Sequence, residues 1–268
     1  MKFLILPLFL IAAGASAQED GLRRLATGDD AQAWQAVGRL DIGGMGFCTG
    51  ALIAPRMVLT AAHCLYDKAT GERINHEAVQ FLAGWRDGRA SAYRQVRRAV
   101  LHPAYVYDAN ASSDRVRNDL ALLELDHPIR NTTIRPFDTA ERPDTGERVG
   151  VVSYARDRSE APSLQEVCTV LARQEGMLIT SCSVDFGSSG APIFTFADGR
   201  AHIVSVVSAK AEMDGQRVSL GTSLGAPLAL LKSELAAGKG VYEVAGSRVN
   251  RIRVGSDHVA DGAKFVRP

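Results

Sequence analysis

No segment beyond the N-terminus holds eighteen apolar residues in a row, so no later part of the chain reads as a membrane-spanning helix. Charge of one sign is missing too: 31 Lys and Arg stand against 30 Asp and Glu over 268 residues. That balance leaves no global field to draw nucleic acid or an anionic bilayer. Tryptophan occurs only twice, and the scattered aromatics do not interleave with basic residues as a platform for stacked bases requires. Neither a CxxC nor an HExxH motif is present, which removes the ordinary spacings of a zinc site. No internal repeat is evident, and helical periodicity is almost absent before residue 225. What remains is a globular composition, 46% apolar, too rich in hydrophobic residues for a disordered chain.

The chain opens with MKFLILPLFLIAAGASA: Lys2, an apolar run from Phe3 to Ala13, and small residues Ala15 and Ala17 set two apart. This is the pattern of a secretory signal peptide over residues 1–17, cleaved after Ala17. A secreted or periplasmic location is therefore expected. An oxidising compartment in turn gives Cys48, Cys64, Cys168 and Cys182 a use as disulfides. Four cysteines allow three connectivities. The local pairs, Cys48 with Cys64 and Cys168 with Cys182, are favoured, each contributing about 3 kcal/mol in the chain-entropy account.

Residues 18–35 read as a loose polar arm or short pro-segment, with Arg23 and Arg24 a candidate processing site. Short apolar or alternating runs broken by turns then predict strands over 36–41, 46–54, 56–60, 78–83, 92–101 and 119–125. Six more follow over 148–154, 166–173, 177–181, 191–196, 201–208 and 217–223. Twelve short strands with almost nothing helical between them indicate an all-β protein. Polar, proline-containing residues 131–147 read as a connector between two halves, 36–130 and 148–225. Two closed antiparallel barrels are the natural architecture, because closure removes exposed edges. Leu228, Leu231 and Leu235 mark one face of a C-terminal helix over 226–237, near Pro227 at its start and stopped by Gly238. Residues 238–268 form an extension that adds a strand or stays partly ordered.

Three local signals carry chemistry. In GSSGAP, residues 187–192, a hydroxyl lies in a turn of small residues where backbone amides can converge on a developing oxyanion. In VLTAAHC, residues 58–64, His63 ends an apolar run beside Cys64, and a disulfide there would hold an imidazole in one orientation as a general base. In RNDLALLEL, residues 117–125, Asp119 leads an apolar strand, where a carboxylate needs a donor such as a histidine ring nitrogen or backbone amides. Each signal alone also fits an ordinary turn, a packed histidine or a surface carboxylate. Together they supply a hydroxyl nucleophile, its base and the group that fixes the base's tautomer.

These residues resemble the trypsin-like, chymotrypsin-fold serine proteases, particularly their secreted bacterial members. The likeness runs from about Val37 to Leu231 through FCTGALIAPRMVLTAAHC (47–64), NDLALLEL (118–125) and GSSGAP, in the family's order. The resemblance implies a fold of two six-stranded antiparallel β-barrels with the active site between them and a helix after them. It implies His63 as general base, Asp119 as orienting carboxylate, Ser189 as nucleophile, and the amides of Gly187 and Ser189 as oxyanion hole. It also implies a Cys48–Cys64 disulfide around the histidine. The activity implied is a secreted serine endopeptidase needing no metal or organic cofactor. A monomer acting on protein or peptide, with no nucleic acid and no membrane partner once the leader is removed, is expected. A catalytically silent binding protein on the same fold is the competing reading, and an esterase a third.

The likeness is incomplete. In relatives activated by a freed N-terminal amine, that amine pairs with an aspartate just before the serine; here the neighbour is Ser188, so the oxyanion loop is expected to be organised without that switch. In relatives that cut after Arg or Lys, an aspartate lies six positions before the nucleophile; here that position is Ser183. VVSAK, residues 206–210, resembles the pocket-lining strand, which puts Ser208 and Lys210 beside Ser183 as candidate pocket residues. If Lys210 faces the pocket, acidic side chains are favoured.

Overall fold

The computed structural model describes residues 21–108 and 112–242. The leader and the extension beyond residue 242 lie outside the described residues. The chain enters through β1 (Leu22–Arg24), the single turn α1 (Gly28–Ala31) and a 3₁₀ turn at Gln32–Trp34. The first barrel follows: β2 (Val37–Ile42), β3 (Phe47–Ala54), β4 (Met57–Thr60), β5 (Val79–Ala83), β6 (Ala92–Leu101) and β7 (Ala121–Leu125). These strands close in the order β2-β3-β4-β7-β6-β5, with β5 pairing back to β2. A short helix, α2 (Ser113–Asn118), delivers the chain into Asp119 ahead of β7.

The second barrel comprises β8 (Arg148–Ala155), β9 (Arg158–Gln174), β10 (Met177–Thr180), β11 (Pro192–Ala197), β12 (Arg200–Met213) and β13 (Gln216–Ser223). Its sheet runs β9-β10-β13-β12-β11-β8, and β8 pairs with β9 to close it. The resulting pair of six-stranded antiparallel barrels is the architecture expected. Period-two alternation sorts the side chains of β8. Val149 and Val151 enter the core of the second barrel, while Val152 and Tyr154 pack into a cluster continuous with the first barrel. β8 is buried on both faces because one lines its own barrel and the other meets the neighbour.

Two expectations fail. The stretch expected to be a loose polar arm or short pro-segment is not loose from β1 onward: Leu22, Arg23 and Arg24 pair with Gln165, Leu164 and Ser163 of β9. Leu25 and Trp34 are buried, and the Trp34 ring stands 5.1 Å from that of Phe194. The apolar content of those residues was diluted by charge, so local pattern gave no strand signal. β9 is also longer than expected, because it serves β8 from Arg158 to Thr169, β1 at Ser163–Gln165 and β10 from Val170 to Gln174.

The polar residues between β7 and β8 tie the barrels together. The Phe137 amide donates to the Leu52 carbonyl of the first barrel at 2.9 Å, and the Ala140 amide to Ile203 of the second at 3.0 Å. α3 (Gly225–Ala236) buries Leu228, Leu231 and Leu235, and packs on β6 and β7 of the first barrel although it follows the second. Arg98 anchors its end: Nη1 donates to the Leu235 carbonyl at 3.1 Å, and Nε to Glu124 Oε2 at 2.6 Å. A cation at a helix C-terminus meets carbonyls that have no intrahelical partner. Among the described residues no helix is long and apolar enough to cross a membrane.

Candidate active site

β4 ends at Thr60, and the chain turns through a 3₁₀ segment, Ala62–Leu65, that carries His63. The Cys48–Cys64 disulfide fastens this turn to β3. Asp119, at the end of α2, is fully buried beneath it. Its Oδ1 accepts the His63 backbone amide at 2.8 Å, and its Oδ2 faces His63 Nδ1 at 2.6 Å. The Ser208 hydroxyl, from β12, donates to the same Oδ2 at 2.5 Å. Burial pushes the Asp119 carboxyl up, but the neighbouring His63, its ring hydrogen bond, Ser208 and the His63 amide outweigh it and hold the group below the ordinary carboxylate range. An ionised carboxylate only accepts, so Nδ1 carries a proton, and in the neutral tautomer this leaves the Nε2 lone pair free to act as base.

Ser189 lies between two glycines that no other residue type could replace without displacing the loop. Gly187 has φ +100°, and a Cβ there would strike the Phe47 ring and approach the Ala155 backbone to 3.0 Å. Gly190 has φ +77°, and a Cβ there would strike Thr60 Oγ1 and the Thr49 carbonyl. The close approach is held by hydrogen bonds from the first barrel. The Thr49 amide donates to the Ser189 carbonyl at 2.8 Å, and Thr49 Oγ1 donates to the Gly187 carbonyl at 2.8 Å. On the other side the Gly190 amide donates to Val207 of β12 at 2.8 Å.

A cavity of about 390 Å³ is lined by His63, Ser189, Ser208, Lys210, Tyr107 and Phe186, among others. Asp119 stands behind His63, outside this lining. Ser208 does line the cavity, yet its hydroxyl is directed to Asp119, a role that strand position alone did not reveal. Ser183 does not line it. Ser183 borders a neighbouring hollow that shares Val184, Asp185 and Lys210, and its amide donates to Gln165 Oε1 at 2.7 Å. Lys210 is half exposed on the cavity wall, where Nζ meets Asp185 Oδ1 at 2.8 Å and lies 4.5 Å from the Phe186 ring centre. That hydrogen bond holds the Asp185 carboxyl below its usual range.

The second disulfide, Cys168–Cys182, joins β9 to the segment leading into the serine loop, within the core of the second barrel. Cys48, His63 and Cys64 also bring possible ligand atoms within 4.8 Å of one another. Both sulfurs are committed to the disulfide and are not thiolates, so this trio does not fit a metal ion. Thr49 was missed at the sequence level. Its signal was a lone hydroxyl in the apolar run of β3, beside Cys48.

The family model described as Trypsin matches residues 26–220. A glutamyl endopeptidase of Bacillus licheniformis is 25% identical over 159 residues, covering 59% of this chain and 48% of the relative. The chain thus matches about half the length of that protein. Among solved structures, a Glu endopeptidase in complex with MPD superposes with a TM-score of 0.67 at 19% identity, covering 82% of this chain and 98% of the other. Because the family match begins before the first barrel and ends within β13, it takes in nearly all of both barrels together with His63, Asp119, Ser189 and Ser208, and the chain belongs to the trypsin family.

Proposed function

We propose that the protein is an exported serine endopeptidase in which Ser189 is the nucleophile, His63 the general base and Asp119 its orienting carboxylate. The observation that carries the reading is the buried His63–Asp119 contact at 2.6 Å, on an imidazole that opens into the cavity Ser189 also lines. Ser189 Oγ attacks a peptide carbonyl as its proton passes to His63 Nε2, and the amides of Gly187 and Ser189 receive the oxyanion. The imidazolium then gives that proton to the departing amine as the tetrahedral intermediate collapses to the acyl-enzyme. Water, giving up a proton to the same nitrogen, releases the acid and restores the serine hydroxyl. Asp119 stays ionised and holds the tautomer.

Lys210 on the cavity wall supports a preference for an acidic side chain at the cleavage site, and the likeness to a protein named glutamyl endopeptidase points the same way. The Asp185 contact moderates this preference, because an incoming carboxylate must share or take over the ammonium. Two disulfides suit an oxidising compartment.

The test is covalent capture by a fluorophosphonate together with a cleavage profile on a mixed peptide library. Labelling at Ser189, peptide turnover, and loss of both in Ser189→Ala are expected. A folded protein that takes up no label and cuts no peptide would instead be a binding protein, and ester turnover without peptide turnover would make it an esterase.

A further inference from the structure

The residue before the proposed nucleophile, Ser188, is fully buried. Its Oγ is the hub of four contacts: Ser153 Oγ at 3.2 Å, the Tyr154 carbonyl at 3.2 Å, the Asp185 amide at 3.3 Å and Arg158 Nη2 at 3.4 Å. The Ser188 amide donates to the Asp185 carbonyl at 2.8 Å, so the turn from Asp185 to Ser188 is closed in both directions.

Arg158 opens β9, directly after the tight turn from β8. Its side chain is only 12% exposed, and its Nη2 also donates to Ser153 Oγ at 3.1 Å. The carboxylate of Asp157 lies 3.7 Å from Nη1 and is itself well exposed. Burial pulls the guanidinium pKa down, the mark of hydration given up in favour of these contacts. A guanidinium donates and cannot accept, so it directs the lone pairs of both serine hydroxyls toward itself. The Ser188 proton is left for Ser153 or the Tyr154 carbonyl. The other peptides of the loop are anchored elsewhere. The Arg156 amide donates to the Phe186 carbonyl at 2.7 Å, which aims the Gly187 N–H the opposite way, and Thr49 holds the carbonyls of Gly187 and Ser189. The Phe186 amide donates to the Asp185 carboxylate at 2.8 Å, and the Ala191 amide to the Ser188 carbonyl at 2.9 Å. The Ser188 hydroxyl is the point at which a buried guanidinium enters the loop.

We propose that Arg158, acting through Ser188, is a positioning residue that holds the Gly187 and Ser189 amides where they receive the oxyanion. The proposal rests on the peptidase reading above. It identifies what replaces the aspartate that other members place before the serine: a buried neutral hydroxyl and an internal cation.

The experiment compares the wild-type protein with Arg158→Gln, Arg158→Lys, Ser188→Ala and the Arg158→Gln/Ser188→Ala double variant. Each is measured with a peptide substrate, a peptide aldehyde and the matching product acid. Ser189 Oγ adds to the aldehyde carbon as its proton passes to His63 Nε2, and the carbonyl oxygen takes up the electron pair as an oxyanion; the product acid needs only the binding cleft. In Arg158→Gln, kcat falls about tenfold to hundredfold with KM within about threefold. Aldehyde affinity falls in parallel while product affinity stays at the wild-type level. Arg158→Lys recovers part of the loss, and the double variant is no worse than the weaker single one, because both act on one hub. Wild-type kcat and aldehyde affinity in Arg158→Gln overturn the proposal, as does an equal loss of aldehyde and product binding. Should Arg158→Gln fail to fold, the same comparison on Arg158→Lys and Ser188→Ala decides in either direction. A wild-type protein that neither cuts peptide nor binds the aldehyde overturns the peptidase reading and this proposal with it. An active wild type with indifferent variants overturns this proposal alone.

Discussion

The amide of Thr49 donates to the carbonyl of Ser189 at 2.8 Å, a bond from the first barrel into a loop of the second. Its hydroxyl extends the contact, donating to the Gly187 carbonyl at 2.8 Å and accepting the Tyr154 amide at 3.1 Å. The cleft is therefore bonded together across the barrel boundary, and the serine loop cannot shift without breaking contacts to β3.

Thr49→Val keeps the shape of the side chain and removes both hydroxyl contacts. Leaving buried polar groups unpaired costs about 1–3 kcal/mol, read as a lower urea midpoint with unchanged slope. Thr49→Ser retains the hydroxyl and is expected to stay close to the wild type. A valine variant with full stability and turnover would remove Thr49 from the account of the loop.

Asp119→Asn offers His63 an amide in place of a carboxylate and favours the wrong tautomer. Turnover is expected to fall about 10⁴-fold. Ser208→Ala removes one charge-assisted bond from a carboxylate that retains His63. A hydrogen bond to a charged group is worth about 1.5–3 kcal/mol, so the loss in kcat is expected to be about tenfold to hundredfold. Steady-state kinetics on one peptide orders the two variants, and a Ser208→Ala effect as large as that of Asp119→Asn contradicts the roles assigned.

Asp185→Asn frees Lys210 from its partner while leaving it on the cavity wall. The ratio of kcat/KM for a Glu-containing peptide over its Gln counterpart is expected to rise by a few-fold, since an exposed pair is worth about 1 kcal/mol or less. Lys210→Gln lowers the same ratio. Unchanged ratios in both variants would place acid recognition elsewhere.

Acid stability follows from Asp119 and Glu124. Glu124 is held below the usual carboxylate range first by its hydrogen bond from Arg98, and Asp119 by His63 and Ser208 against the opposing effect of burial. As pH falls, the unfolded chain protonates these groups before the folded one does. Their contribution is thus complete above the ordinary carboxylate range, about pH 4, and is lost as pH drops through the lower folded values. Glu124→Gln is expected to lower stability at neutral pH by about 1 kcal/mol and to flatten the acid limb. Urea unfolding at a series of pH values measures both, and an unaltered limb would show that the Arg98 contact does not discriminate folded from unfolded chain.

Much of the fold was legible because alternation is a local property. The run VGVVSYA declares itself as β8 by its short, β-branched apolar content between turns, and no distant residue is needed to read it. β1 was not legible: Leu22, Arg23 and Arg24 carry no alternation, and they become a strand only because β9 offers an unpaired edge there. α2 was missed for a related reason. It buries only Val116, and it matters because it ends at Asp119. At the site, His63, Asp119 and Ser189 stood out as polar residues bordering apolar runs. Ser208 and Ser188 did not stand out in their second roles, since a serine in a strand or turn looks the same whether or not a buried partner awaits it.

Residue order alone determined the all-β class, the two halves, the local pairing favoured for the cysteines and the three side chains offered for chemistry, because each depends on near neighbours along the chain. Only tertiary structure decided that the Asp119 carboxylate lies against His63, that Thr49 reaches across to the serine loop, that Ser183 faces a different hollow and that Arg158 backs Ser188. Hydrogen bonds act over about 3 Å, and which groups come that close is settled when two closed barrels pack and bury them away from water.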